Sequence, residues 1–579
     1  MSILNKYLNL LRLKIRDIGL WGLVFYFFVI FSFFANSLHE SYPDEFDNIL
    51  GGWYIIHGSL PYVGFFTHHG PVPYFIAALI GLFSGQSFVI FRLVYAFLLI
   101  VITFATFIFL RQRVGAQPLR FYPFFIVFLA ISATYYWTQM LLADNIAALA
   151  FLPAFALIIL KETYRKSITL IDIAAVSILS SIGLYSSLTY IYTFVLMHIA
   201  ILFLYFRNGG YKPLFSLKNV YPIGIIIFPH LLFFLYLLVT QSLLDYIYQN
   251  YIFNAKYYIY NYPRPSESTF INPVRYAILI AHWFFVNFYT LLLGAFKFDF
   301  SYPMNLTMAI GNVALVIYLI FNKRYKLAVF VIMSIIYTNV RSNPLNSKET
   351  DYQSAVYNVF SFFNIFFLLP KLYESLNTNI AVAKKIVFSF LFLLLGMYGF
   401  FTLLHLTFKF NSKVVSKYMG DMPLIYDRPK VAPIVNAVVD KNEYAWIGPF
   451  EFEELFYANN RIPSKYHILV YGIGASEKIR REMLIDFQKN KPKVIVFDKE
   501  FVYLGKSVES YSEFFLKFLS ENYVTLFDYR NGEFLYKFVS QTQEKDKVKL
   551  ESKTYIRKDS VNEVIKKLLE RNYIKQVSG

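Results

Sequence analysis

Apolar residues in this chain come in long unbroken runs, and the runs end near residue 408. A helix needs about 20 consecutive apolar residues to cross a bilayer. Such stretches stand at 18–38, 88–110, 119–137, 144–160, 168–187, 189–207, 221–241, 276–296, 304–322, 327–341, 354–370 and 386–408. They predict a membrane all-α fold, a polytopic helical bundle of about 11–13 spans over residues 1–408. Residues 72–84 (VPYFIAALIGLFS) are apolar but too short to span, which predicts a helix lying in or dipping into the interface.

After residue 408 charge dominates and the apolar runs shorten. Residues 444–448 and 493–498 read as strands, and 451–459, 476–489 and 507–520 as helices, with Ser476 an N-cap. Residues 523–529 and 533–539 flank Asn531-Gly532 and predict a hairpin. The pattern gives a C-terminal α/β domain over 409–540 and a loose charged tail over 541–579 with one helical stretch near 560–571.

Basic residues between the runs set orientation. Lys6, Arg12, Lys14 and Arg16 place the N-terminus in the cytoplasm, and Arg111, Arg113, Arg120, Lys161, Arg165, Lys166, Arg207, Lys212 and Lys218 mark the next cytoplasmic loops. Loops 39–87 and 242–275 then face outward. Lys323, Arg324, Lys326, Lys371, Lys384 and Lys385 also belong in the cytoplasm, which holds if 276–296 re-enters without crossing. The C-terminal domain is then extracytoplasmic, in a multi-pass protein of the cell (plasma or inner) membrane. Residues 18–38 are too long for the apolar region of a cleavable signal.

Composition changes this picture little. The chain has 579 residues, 57% of them hydrophobic, and a net charge of +18. The cations are dispersed between the runs, so they read as positive-inside anchoring with membrane lipids as neighbours and no nucleic-acid partner. The absence of Cys excludes disulfides. Gly472-Ile-Gly474 lacks the third glycine of a dinucleotide site, and there is no Walker A, Gly-x-Ser-x-Gly or HExxH motif.

The chemistry concentrates in the first outward loop. Asp44, Glu45 and Asp47 follow the first span, and Phe46, Ile49, Leu50 and Trp53 share a helical side. This predicts an amphipathic surface helix from residue 45 to 57. Carboxylates in a first turn are favoured by the helix dipole, so capping alone explains them. Acids at a membrane edge are equally candidates for a general base. His68 and His69, with these carboxylates, suit a divalent ion (Mg, Mn or Zn), or else an interfacial turn ending at Pro71. Asp144 opens the fourth run, where it is either an N-cap or part of a site. Tyr257, Tyr258, Arg264 and Arg275 stand in the Tyr-dense loop 242–275, and Arg341 and Lys348 in the segment 341–352. Aromatic walls with sparse cations suit a sugar carried on a lipid phosphate, and they also suit an ordinary aromatic belt.

Several of these stretches together resemble the GT-C superfamily of membrane glycosyltransferases, and within it the family 39-like relatives of protein O-mannosyltransferases and lipid A aminoarabinose transferases. Asp44-Glu45 matches the family's Asp-Glu pair, and Gly58-Ser59-Leu60-Pro61-Tyr62 its Gly-x-x-Pro-Tyr stretch. F65-F-T-H-H-G-P-V-P-Y-F is similar to its Tyr-x-acid-(His/Lys)-(Pro/Gly)-Pro element. Phe83-Ser84-Gly85 with Phe91-Arg92-Leu93, the acid at Asp144, and the stretches 453–466 and 491–496 add to the likeness, which covers about residues 15–540. The resemblance implies a sugar transferred from a polyprenyl-phosphate donor to a lipid, glycan or protein acceptor on the outer face. It implies inversion, with Asp44 as base beside Glu45, and a donor groove lined by loop 242–275. Thr67-His68-His69-Gly70 departs from the family, many of whose members carry an acid at the Thr67 position. The competing readings are a lipid-linked-oligosaccharide flippase or transporter and an O-antigen polymerase-like protein. A transporter would place ionisable groups near the bilayer midplane, and a polymerase would carry its main outward loop late in the chain.

Overall fold

A computed structural model gives the fold and describes residues 26–39, 41–135, 137–209, 217–261, 272–296, 303–338, 352–378, 381–406, 408, 429–530, 534–539 and 550–578. Among them, eight helices are long and apolar enough to cross a membrane. They are Phe88–Val114, Ala143–Thr163, Leu188–Arg207, Val220–Val239, Pro273–Leu293, Pro303–Phe321, Ala355–Leu376 and Val382–His405. The chain is a helical, multi-pass membrane protein.

Three further expected spans form shorter apolar helices among the described residues: Gln117–Ile131, Leu170–Ser186 and Tyr325–Tyr337. Two of these runs meet backbone features that hydropathy does not register. The first ends in turns from Ser132 to Tyr135. The second starts only at Thr169, whose capping box with Asp172 closes the helix N-terminus. Residues 276–296, expected to re-enter without crossing, lie in the unbroken 24-residue helix Pro273–Phe296, which is long and apolar enough to cross.

The chain divides into two compact units. The first comprises Met1–Glu40, Phe88–His230 and Ala277–Tyr426. The Ala143–Thr163 helix is apolar on every side from Ile146 to Leu160, and these residues are all buried, as in a helix surrounded by others. Phe155 stacks on Phe360 with ring centroids 3.9 Å apart. Buried Asn312 donates to Ser361, and Asn364 donates to Asn312, so these side chains supply one another with hydrogen bonds inside the bundle. Arg92 is fully buried and donates to the carbonyls of Ser37 and His39 at 3.0 and 3.2 Å.

The second unit comprises Ser41–Ser87, Leu231–Tyr276 and Asp427–Gly579. Its C-terminal part is the expected α/β domain. The strands are β1 (Ala445–Gly448), β2 (Val494–Phe497), β3 (Val502–Tyr503), β4 (Lys506–Ser507), β5 (Tyr523–Thr525), β6 (Phe534–Phe538), β7 (Thr554–Arg557) and β8 (Ile574–Ser578). The main sheet runs β1-β2-β7-β5. β1 and β2 are parallel, which requires a crossover, and the Glu477–Asn490 helix supplies it with Ser476 capping its N-terminus. Trp446 fills the core against Phe487, Phe497 and Phe515.

Two expectations are corrected here. The tail at 541–579 is not loose over its described part, because β7 lies inside the main sheet and pairs with both β2 and β5. The hairpin expected across Asn531-Gly532 does not form between its two arms. β5 pairs with β7 and β6 with β8, because strands from beyond residue 550 bury the apolar faces that a lone hairpin would leave open. The turn residues themselves lie outside the described residues.

Candidate active site

The second unit is built around the helix Pro43–Ile56. Proline at its first position lacks an N–H that would be unpaired there anyway, and Asp44 and Glu45 occupy the first turn. Residues three apart share a helix face, so Asp44 and Asp47 lie on one side and fully buried Glu45 turns away. The apolar side carries Phe46, Ile49 and Leu50 into the core, with Phe46 and Trp53 against Phe456 of the C-terminal domain.

Gly51 and Gly52 bring this helix onto the helix Val72–Ser84. A Cβ on Gly51 would meet Tyr74 Cδ1 at 2.2 Å, and one on Gly52 would meet the Ala77 backbone at 2.6 Å. The close approach lets the Tyr74 hydroxyl donate to Asp47 Oδ2 at 3.0 Å. Thr67 Oγ1 lies 2.6 Å from the same hydroxyl. On its other oxygen Asp47 faces His467 Nε2 at 3.4 Å, a long contact in which the carboxylate can only accept. The opposite ring nitrogen of His467 is buried and has no hydrogen-bond partner among the described residues. Burial, and then the Asp47 charge, raise the Tyr54 and Tyr74 phenols above their ordinary range, so both remain protonated donors at neutral pH.

The returning loop is pinned from several directions. Thr67 N–H donates to Gln249 Oε1 at 2.9 Å, and Gln249 Nε2 donates to the Tyr62 carbonyl at 2.8 Å. Tyr62 sits at φ 74°, a left-handed conformation costly for a bulky residue, and its hydroxyl donates to the His69 carbonyl at 3.0 Å. Phe66 N–H donates to the Lys465 carbonyl at 2.9 Å, tying the loop to the C-terminal domain. His68 stacks against His69 and Tyr258 at 4.0 and 4.1 Å between centroids, and Tyr257 packs on Phe253.

Asp44, Glu45, His68, His69, Tyr257, Tyr258 and Arg275 thus all belong to this unit, and His68, His69 and Tyr258 are in contact. Arg275 is exposed. Asp144 belongs to the other unit, buried in the first turn of Ala143–Thr163. Arg264, Arg341 and Lys348 lie outside the described residues. Among the described residues no group of three or more His, Asp or Glu side chains converges for a metal.

His467 was not legible as a site residue, because a lone His beginning the apolar run 467–470 reads as core. Asp47 was visible as the third acid of its helix but carried no role of its own. Comparison with protein-family models, curated proteins and solved structures returns no match for this chain.

Proposed function

We propose that this chain is an integral-membrane glycosyltransferase of the cell envelope, with its N-terminus in the cytoplasm and its C-terminal domain outside. It would take a sugar from a polyprenyl-phosphate donor and pass it to a lipid, glycan or protein acceptor. The observation that carries this reading is the carboxylate face of Pro43–Ile56, with Asp44 one turn from an Asp47 clasped by Tyr74 and His467. The stretches that resemble the family 39-like enzymes, at 44–45, 58–62 and 65–75, all fall within this one packed unit.

In this mechanism the Asp44 carboxylate takes the proton from the acceptor hydroxyl as its oxygen attacks the anomeric carbon. The bond from that carbon to the phosphate oxygen breaks, its electron pair leaves with the lipid phosphate, and the configuration inverts. Asp47 holds the helix face in register through the Thr67–Tyr74 hydroxyl chain and acts as a positioning residue. Glu45, fully buried, contributes to the helix rather than to the proton transfer. Arg275 and the aromatic residues Tyr257 and Tyr258 would grip the donor.

The test is transfer from radiolabelled polyprenyl-phosphate sugars by purified wild type and Asp44→Asn. General-base removal costs about 100-fold or more, so the variant should fall by at least that much while remaining folded. Full transfer by Asp44→Asn would remove Asp44 from the mechanism. Movement of lipid-linked sugar across vesicles without transfer would favour a flippase instead.

A further inference from the structure

The second unit contains a cleft of about 1190 Å³ that none of the residues placed above in the proton transfer lines. Ligand pockets for small molecules run to roughly 1,000 Å³, so this one has room for several linked rings. Its floor comes from the far end of the Pro43–Ile56 helix, where half-buried Trp53 is braced by His57 at 4.3 Å and by Phe456 at 5.9 Å. Tyr444, the residue immediately before β1, also lines the cleft.

Two of the lining residues, Tyr54 and Asn460, each hold a polar atom, the hydroxyl and Oδ1, that is enclosed behind the cleft surface and lacks a hydrogen-bond partner among the described residues. One is a donor and the other an acceptor, and a buried polar atom left unpaired is costly. The Trp53 and Tyr444 rings offer the flat apolar surfaces on which the C–H faces of a pyranose pack.

The charges at the rim are unequally matched. Lys465 is paired with Asp245 at 3.2 Å and Glu482 at 3.4 Å, and Asp486 accepts from Ser464 at 2.7 Å. Arg461 and Lys441 are exposed and form no ion pair among the described residues. The cleft therefore presents two uncommitted cations and one carboxylate without a cation partner among the described residues, Asp486, beside Trp53.

We propose that this cleft binds an acidic oligosaccharide, its rings on Trp53 and Tyr444 and its carboxylates on Arg461 and Lys441. That the bound glycan is the acceptor of the transfer rests on the glycosyltransferase reading; the binding itself rests on the cleft alone.

The experiment is calorimetric titration of the full-length protein in detergent with tetragalacturonate, neutral maltotetraose and a tetraglutamate peptide. Tetragalacturonate should bind roughly tenfold tighter than maltotetraose at low salt, and the gap should close in 0.5 M NaCl. Arg461→Gln/Lys441→Gln should bring tetragalacturonate down to the maltotetraose level. These residues are exposed, so the change leaves the fold intact. Trp53→Ala should abolish binding of both glycans. Tetraglutamate binding as tight as tetragalacturonate, no glycan binding at all, or binding insensitive to the double substitution would each overturn the proposal. Glycan binding without any sugar transfer would uphold the cleft and remove the enzyme reading; transfer without glycan binding would do the reverse.

Discussion

Gly52→Ala probes the link between helix packing and the candidate site. The added Cβ would lie 2.6 Å from the Ala77 carbonyl carbon, the Ala77 Cβ and the Ala78 nitrogen, against an ordinary contact of 3.4 Å or more. Two of those atoms are backbone, so no rotamer can yield. The helices Pro43–Ile56 and Val72–Ser84 must part by about 1 Å, and overpacking of this kind costs about 1–3 kcal/mol. Alanine's better helix propensity returns about 0.5–1 kcal/mol, leaving a net loss centred on about 1 kcal/mol and at most about 2.5 kcal/mol. Parting by that much also stretches the Tyr74–Asp47 hydrogen bond, now 3.0 Å, beyond reach. The matched control is Gly224→Ala, where a Cβ meets nothing within 4 Å. Thermal melts in detergent should show Gly52→Ala lower by roughly 2–8 °C and Gly224→Ala unchanged or slightly higher. Sugar transfer should fall in Gly52→Ala alone. If the two variants melt alike, the close approach does not constrain the unit and the argument from Gly51 and Gly52 fails.

Asp172 is fully buried, within 2.6 Å of Arg113 Nε and 2.7 Å of Lys161 Nζ. Asp172→Asn leaves the buried Lys161 ammonium without its counter-charge and should destabilise the membrane unit by about 3–5 kcal/mol, read as a melting shift; an unshifted midpoint refutes it. The Glu451 carboxyl is pushed up to about 7 by protein atoms that keep water from it and by the Glu454 charge, with Asp498 and Glu453 adding and Lys553 opposing. A raised carboxyl contributes stability that is complete below its unfolded value of 4.5 and lost as pH rises through about 7. The residue still presents surface to solvent, so screening keeps the effect small and its sign is what matters. Melting of the wild type should decline from pH 5 to pH 8 more than that of Glu451→Gln, and parallel curves would contradict the assignment.

Much of the local structure was legible. The strand at 493–498 and the helix at 476–489 with its Ser476 cap appear within a residue or two of their expected bounds. Both depend on short-range signals, an apolar run between breakers and a hydroxyl before a helical pattern. The acids at 44, 45 and 47 were visible for the same reason, since the spacing that puts Asp44 and Asp47 on one face is a property of the helix alone. The partners of Asp47 were not. His467 stands 420 positions away, and nothing near it in the sequence sets it apart from a core histidine. The central place of β7 was hidden likewise, because the charged residues around 541–553 mask a strand whose apolar side is defined only by β2 and β5.

The sequence by itself determined that this chain enters a membrane many times and carries an α/β domain after residue 408, because hydropathy and periodicity act through neighbours in the chain. Only the tertiary structure decided that Ser41–Ser87, Leu231–Tyr276 and the C-terminal domain form one packed unit, that Asp47 sits between Tyr74 and His467, and that a cleft opens beside Trp53. Those outcomes depend on which distant surfaces bury one another, and the burial free energy that selects them is summed over contacts no local window contains.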